Sequence, residues 1–166
     1  EKEVREAVGD RIARRVPQLP LTEMMICRGA VILGRDLHAS LERVRRPHGL
    51  AEPEYRVLAA LYARGGSACP RDLCGALAQS PANLTRICDT LVRRGYVSRS
   101  PDAMDRRRMQ LTLRPSGRKL LDKLIPAMSA RVQDAFVGFS AAEKRRLLAS
   151  LTRLLQGIDT LYATGT

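Results

Sequence analysis

Apolar residues recur at helical spacing along most of this chain and alternate at strand spacing in one short region. Val4, Val8 and Ile12 stand four apart, which marks residues 3–16 as a short helical candidate closed by Pro17 and Pro20. Thr22 has the form of an N-cap. Ile26, Ala30, Leu33, Leu37, Leu41 and Val44 follow at intervals of three and four, predicting a long helix to about Arg46 with one apolar stripe. Pro47, His48 and Gly49 end it. A second helix is expected from Glu52 to Arg64, with Pro53 tolerated in its first turn and Tyr55, Leu58, Ala59 and Tyr62 on one face. Gly65-Gly66-Ser67 reads as a turn. Pro70 opens a short helix with Leu73, Leu77 and Ala78, and Ser80-Pro81 opens the next, an N-cap followed by Pro at the first helical position. That helix runs to Arg94 with Leu84, Ile87, Cys88 and Leu91 inward, and Gly95 closes it.

The period then changes from 3.6 to 2. Tyr96–Arg99 and Met109–Leu113 are short extended runs flanking a polar, basic loop, which predicts a β-hairpin with a long tip. Pro115 starts a helix carrying Leu121, Leu124, Met128, Val132 and Phe136, with Pro126 as a candidate kink. Ser140-Ala141-Ala142-Glu143 has the form of a capping box. The last helix carries Leu147, Leu151, Leu154, Ile158 and Leu161, a short coiled-coil-like seam. The chain is therefore expected to be mainly α with a small β-hairpin.

Composition sharpens this picture. The net charge of the 166 residues is +12, and the pI is about 10.6. Such a balance suits a nucleic-acid binder, and an Arg-rich solvated surface gives it equally well. Location separates the two. Between Arg86 and Arg118 there are nine Arg and three Asp, so half of the net charge sits in 33 residues. Cys27, Cys69, Cys74 and Cys88 form neither a CxxC pair nor a disulfide framework. Residues 1–20 carry charges throughout and show no signal-peptide pattern, and no apolar run approaches the roughly 18 residues of a membrane span. The expected setting is cytoplasmic, with no membrane partner.

Two short helices joined by Gln79-Ser80 and followed by a basic hairpin have the layout of a helix-turn-helix, whose second helix enters the major groove. On the face of that helix turned from the core stand Ala82, Asn83, Thr85, Arg86, Asp89 and Arg93. Asn pairs two-pronged with adenine and Arg with guanine, while Ala or a Thr methyl touches thymine. Ser80 and the free amides at the helix start suit a phosphate. Any amphipathic surface helix also has a polar outer face, so the helix alone leaves both readings open. Asp105, Arg106 and Arg107 at the hairpin tip add the second feature. Arginine is drawn to the narrow minor groove, and an acidic neighbour holds its guanidinium by a charge-assisted pair.

The stretch from Leu84 to Asp105, LTRICDTLVRRGYVSRSPDAMD, followed by RRRMQLTL and GRKLL, resembles the MarR family of winged helix-turn-helix transcriptional regulators over roughly residues 22–160. The multidrug-efflux and urate-responsive branches are nearest in layout. The resemblance implies a helical dimerisation region from residues 21–48 and 115–166, a winged helix-turn-helix lobe at 49–114, and an N-terminal extension at 1–20. It implies a homodimer on double-stranded DNA with a pseudo-palindromic operator, usually as a repressor. The apolar stripes of the first and last helices independently demand a partner. Ala51 and Arg114 stand where the family usually places capping residues, each weakening a cap by about 1 kcal/mol. Arg56 replaces an acidic residue of the urate-responsive branch, and Trp is absent, which argues against urate.

The resemblance further implies a pocket for a small aromatic or phenolic effector between the long helix, the second helix and the lobe. The candidates on those faces are Met25, Arg28, Ile32, Tyr55 and Leu58. Arg28 interrupts an apolar run and suits an intersubunit ion pair or a snorkelling position as well as a carboxylate. A thiol redox sensor of the same fold is an alternative, with Cys69 near a helix N-terminus and Cys74 and Cys88 on inward faces. A protein-interaction adaptor that binds no DNA is another. No Gly-rich phosphate loop, HExxH or nucleophile elbow occurs, and His38, His48 and Cys27 show no metal-ligand spacing, so no enzyme, cofactor or metal is expected.

Overall fold

The computed structural model describes residues 18–101 and 108–164. The helical candidate at 3–16, the loop residues 102–107 and the side chain of Leu161 lie outside the described residues. Among those described, the order is α1 (Leu21–Arg45), a single 3₁₀ turn (Arg46–His48), α2 (Glu52–Ala63), β1 (Ser67–Ala68), α3 (Pro70–Leu77), α4 (Pro81–Arg93), β2 (Val97–Pro101), β3 (Met109–Leu113), α5 (Pro115–Ala135) and α6 (Ala141–Thr164). The chain divides into two compact units, one ending at Met128 and one beginning at Ser129.

The first unit is built around a leucine-rich core. Val57, Leu58 and Leu61 from α2, Leu73 from α3, Leu84 and Leu91 from α4, Val97 and Leu111 from the sheet, and Leu121 and Leu124 from α5 are all almost fully buried. Each such side chain contributes about 1.5–3 kcal/mol on burial, and together they order the short helices that propensity alone would not hold. The buried face of α2 is thus set by Val57, Leu58 and Leu61, whereas Tyr55 and Tyr62 lie at its edges, half-buried. Arg56 donates to the Leu77 carbonyl (3.2 Å), tying α2 to the C-terminal end of α3.

Three local expectations are corrected. Thr22 does not cap α1: the helix starts at Leu21, and the carbonyl of Pro20 accepts from the Met24 N–H (2.9 Å). Proline, with φ already fixed near −75°, serves as the flanking residue without a side-chain cap. Ala78 is not inward but exposed, ending α3 in the left-handed conformation (φ +50°), while the Gln79 N–H closes onto the Cys74 carbonyl (3.0 Å). Ser67 belongs to a strand rather than a turn. Ser67 and Ala68 pair antiparallel with Thr112 and Leu111, which makes β3 the centre of a three-stranded sheet in the order β1-β3-β2.

The hairpin expected from the alternating pattern is present, with Val97 opposite Leu113 and Pro101 opposite Met109. Its base is locked against α5 at Gly117. A Cβ there would lie 2.5 Å from the Tyr96 carbonyl oxygen and 2.8 Å from Leu113 Cδ1, so only glycine permits this approach. Pro126 lies inside α5, which runs on to Ala135.

In the second unit, the expected capping box is formed. The Ser140 hydroxyl and N–H both reach the Glu143 carboxylate (2.6 and 2.8 Å), and the Glu143 N–H returns to the Ser140 hydroxyl (3.2 Å). These bonds, the hydroxyl's above all, hold the Glu143 carboxyl below its ordinary value. Leu147, Leu148, Leu151, Leu154, Leu155 and Ile158 all remain exposed on α6 in the single chain, as do Ile26 and Leu33 on α1.

Candidate nucleic-acid interface

The candidate recognition element is α4, and its sequence dictates both where it starts and which way it faces. Pro81 occupies the first turn, and the Ser80 hydroxyl accepts from the Asn83 N–H (3.3 Å). Leu84, Ile87, Cys88 and Leu91 sit at intervals of three, one and three and are buried. The opposite face is polar by the same geometry: Ala82, Thr85, Arg86, Asp89 and Arg93 are exposed and Asn83 is half-buried. Ser80, Ala82, Asn83, Thr85 and Arg86 are therefore brought together on one turn and a half at the start of α4.

Their hydrogen bonds qualify the expected chemistry. Arg86 donates to the Asn83 amide oxygen (3.0 Å), and the Asn83 amide nitrogen donates to the Gln79 side-chain oxygen. Both ends of the Asn83 amide are thus engaged within the protein. Two-pronged pairing with an adenine requires both of these bonds to be exchanged for bonds to the base. The Thr85 hydroxyl donates to the Pro81 carbonyl (2.9 Å), which leaves its methyl as the group free for an apolar contact.

Arg99 is a residue to which sequence reasoning gave no role. From β2 it pairs with Asp89 on α4 (2.6 Å) and donates to the Thr85 carbonyl (3.3 Å). This fastens β2 to α4 and assigns Asp89 to holding the strand. The available signal was a single acid on the outer face of a basic helix, ten residues before an arginine in the following strand. Asp105, Arg106 and Arg107 lie outside the described residues, between the ends of β2 and β3.

The proposed effector residues do not assemble in the same way. Leu58 belongs to the fully buried core, Tyr55 is half-buried at its edge, Ile32 is half-buried on α1, and Met25 and Arg28 are exposed. Burial raises the Tyr55 phenol above its ordinary value, and the charge of Arg45 opposes this. A cavity of about 430 Å³ instead lies among α3, α4 and the hairpin, lined by Arg71, Cys74, Thr85, Cys88 and Arg99 among others, and none of the five candidates borders it. Cys27 is exposed, Cys69 and Cys74 are half-buried, and Cys88 is buried. Burial pushes the Cys88 thiol up, with Arg99 working against the shift. Among the described residues no group of three or more His, Cys, Asp or Glu is placed to hold a metal, and no helix is long and apolar enough to cross a membrane.

A family model described as MarR family matches residues 48–108, from the turn before α2 to the wing. The HTH-type transcriptional regulator YkoM of Bacillus subtilis is 32% identical over 111 residues, which cover 67% of this chain and 71% of that protein. The chain belongs to the MarR family. Among other MarR-type relatives, the transcriptional repressor MprA of Escherichia coli is 27% identical over 154 residues, covering 92% of this chain and 88% of MprA. The structure of BpsR from Bordetella bronchiseptica has the same fold, with a TM-score of 0.68 at 24% identity over 78% of this chain and 91% of that one. As a MarR-family transcriptional regulator, the chain carries its winged helix-turn-helix in the first of its two compact units.

Proposed function

We propose that this MarR-family regulator acts as a homodimer that binds a pseudo-palindromic operator in double-stranded DNA, represses transcription, and is released by a small aromatic or phenolic effector. The observation that carries the DNA reading is the start of α4. A capped helix presents Ser80, Ala82, Asn83, Thr85 and Arg86 on one polar face, with β2 fastened beside it through Asp89 and Arg99. The arginines Arg106 and Arg107, with Asp105, would reach the minor groove from the wing tip. Residues 21–48 and 115–166 would form the dimer, burying the exposed apolar positions of α1 and α6. The two recognition helices would then meet successive major grooves about 34 Å apart.

MprA is named a repressor, which supports that sign of regulation here. BpsR is described as regulated in its DNA binding by 6-hydroxynicotinic acid, a small aromatic acid, which supports the effector class. Met25, Arg28, Ile32 and Tyr55 remain the proposed effector contacts, whereas Leu58, fully buried in the core of the lone chain, would reach an effector only if α2 shifted. The effector would act by binding more tightly to a dimer whose two recognition helices no longer match the operator spacing.

The test is binding of the purified protein to DNA from upstream of its own gene and to scrambled DNA across a salt series. Affinity in the range of roughly 10⁻⁸–10⁻¹¹ M for the former, well above scrambled DNA and falling steeply with salt, is the expected result. Absence of binding to any duplex at low salt would overturn the DNA reading and favour a protein-interaction role.

A further inference from the structure

Arg94 directly follows the recognition helix, yet its guanidinium is turned away from the DNA-facing residues of α4. One terminal nitrogen donates to the Gly49 carbonyl (2.8 Å) and the other to the His48 carbonyl (2.8 Å). The first nitrogen also pairs with the Glu54 carboxylate (3.1 Å), whose same oxygen accepts from the Ala51 N–H (3.0 Å) at the start of α2. The guanidinium lies over the Tyr96 ring, 5.0 Å from its centroid. One side chain therefore joins the end of α4, the entry to β2, the start of α2 and the turn that follows α1.

We infer that Arg94 is a positioning residue for DNA recognition. It fixes the end of the recognition helix to the His48-Gly49 turn, so that a displacement of that turn is carried into α4. Three features support this assignment. The two carbonyls come from adjacent residues, and a guanidinium engages them through a planar, rigid fork. A movement of the turn by about an ångström would take both bonds out of range together. Glu54 compensates the charge of the fork, so the half-buried arginine does not stand as an uncompensated cation. The left-handed conformation of Gly49 (φ +61°) shapes the turn so that both carbonyls meet the same side chain. The inference rests on the DNA-binding reading above, because a positioned helix matters only if it reads a duplex.

The experiment begins with selection of a duplex from a random pool by the wild-type protein. Failure to enrich any duplex would sink the DNA reading and this inference with it. With a selected duplex in hand, affinities of the wild type, Arg94→Ala, Arg94→Lys and Glu54→Gln are measured on it and on a scrambled duplex across a salt series, alongside Tm. Arg94→Ala should lose about tenfold or more on the selected duplex and leave the scrambled duplex and the salt slope unchanged. Arg94→Lys and Glu54→Gln, which keep part of the fork's bonding, should fall between. Equal losses on both duplexes with a slope reduced by about one would mean that Arg94 touches phosphate directly, and would overturn the inference. A lower Tm with an unchanged ratio between the two duplexes would reduce Arg94 to a stabilising contact and would overturn it as well.

Discussion

Arg45 is the buried charged residue of the first unit's described core, 3% exposed, and among the described residues its Nε has no hydrogen-bond partner. Its charge acts on the half-buried Tyr55 phenol. A buried guanidinium with an unsatisfied Nε costs stability, whereas an unbranched apolar side chain of similar length fills the same space. Arg45→Met should therefore raise stability by about 1–3 kcal/mol, read as a higher Tm. It should also move the Tyr55 phenol further up in an absorbance titration, because the opposing charge is gone. A lower Tm would show that Arg45 is paired in solution. Gly117 gives the opposite sign. Alanine would gain about 1 kcal/mol as a better helix former, but its Cβ would fall 2.5 Å from a backbone carbonyl oxygen that cannot rotate aside. Overpacking of this kind costs about 1–3 kcal/mol, so Gly117→Ala should lower Tm, with the loss centred where α5 meets the hairpin.

At the scale of elements, α4 and the hairpin behave as one piece because Arg99 joins them. The Asp89 and Arg99 side chains are 52% and 31% exposed, so the pair contributes at most about 1 kcal/mol to stability. Its importance is geometric. Asp89→Asn should leave Tm nearly unchanged while hydrogen exchange at β2 amides accelerates; unchanged exchange would mean that the strand is held by its pairing to β3 alone. The long elements were legible in the sequence because a 3.6 or 2.0 period, bounded by proline, serine or glycine, has few alternative readings, as in Ser80–Gly95. The two-residue strand β1 was not, since it is defined by pairing with Thr112 and Leu111 rather than by its own pattern. The left-handed Ala78 was not, because it occupies a conformation usually left to glycine or asparagine. The outer face of α4 was legible from periodicity, whereas the roles of Arg99 and Arg94 were not. Their partners lie 10 to 46 residues away, and composition does not say which acid or carbonyl a given arginine will find.

For the whole molecule, assembly turns on what covers α6. Leu147, Leu151, Leu154 and Ile158 repeat at four, three and four, and Leu148 and Leu155 lie beside them, all exposed in the single chain. Monomers rarely leave so contiguous an apolar surface open to water. In the proposed homodimer this surface would be buried, so folding and assembly should respond differently to charge placed there. Leu148 and Leu155 are 67% and 63% exposed in the lone chain, so replacing both by Glu should cost the fold little and preserve helix content by circular dichroism. In the dimer the same carboxylates would be taken out of water, at a cost of several kcal/mol each. Leu148→Glu with Leu155→Glu should therefore shift the protein to monomers in sedimentation equilibrium. Because linking two half-site readers multiplies affinity by about 10²–10⁴ through effective concentration alone, operator affinity should fall by a similar factor. Binding by a single lobe to one half-site should persist at low salt. A double variant that stays dimeric with full affinity would place the dimer contact elsewhere, leaving the apolar face of α1 to carry it.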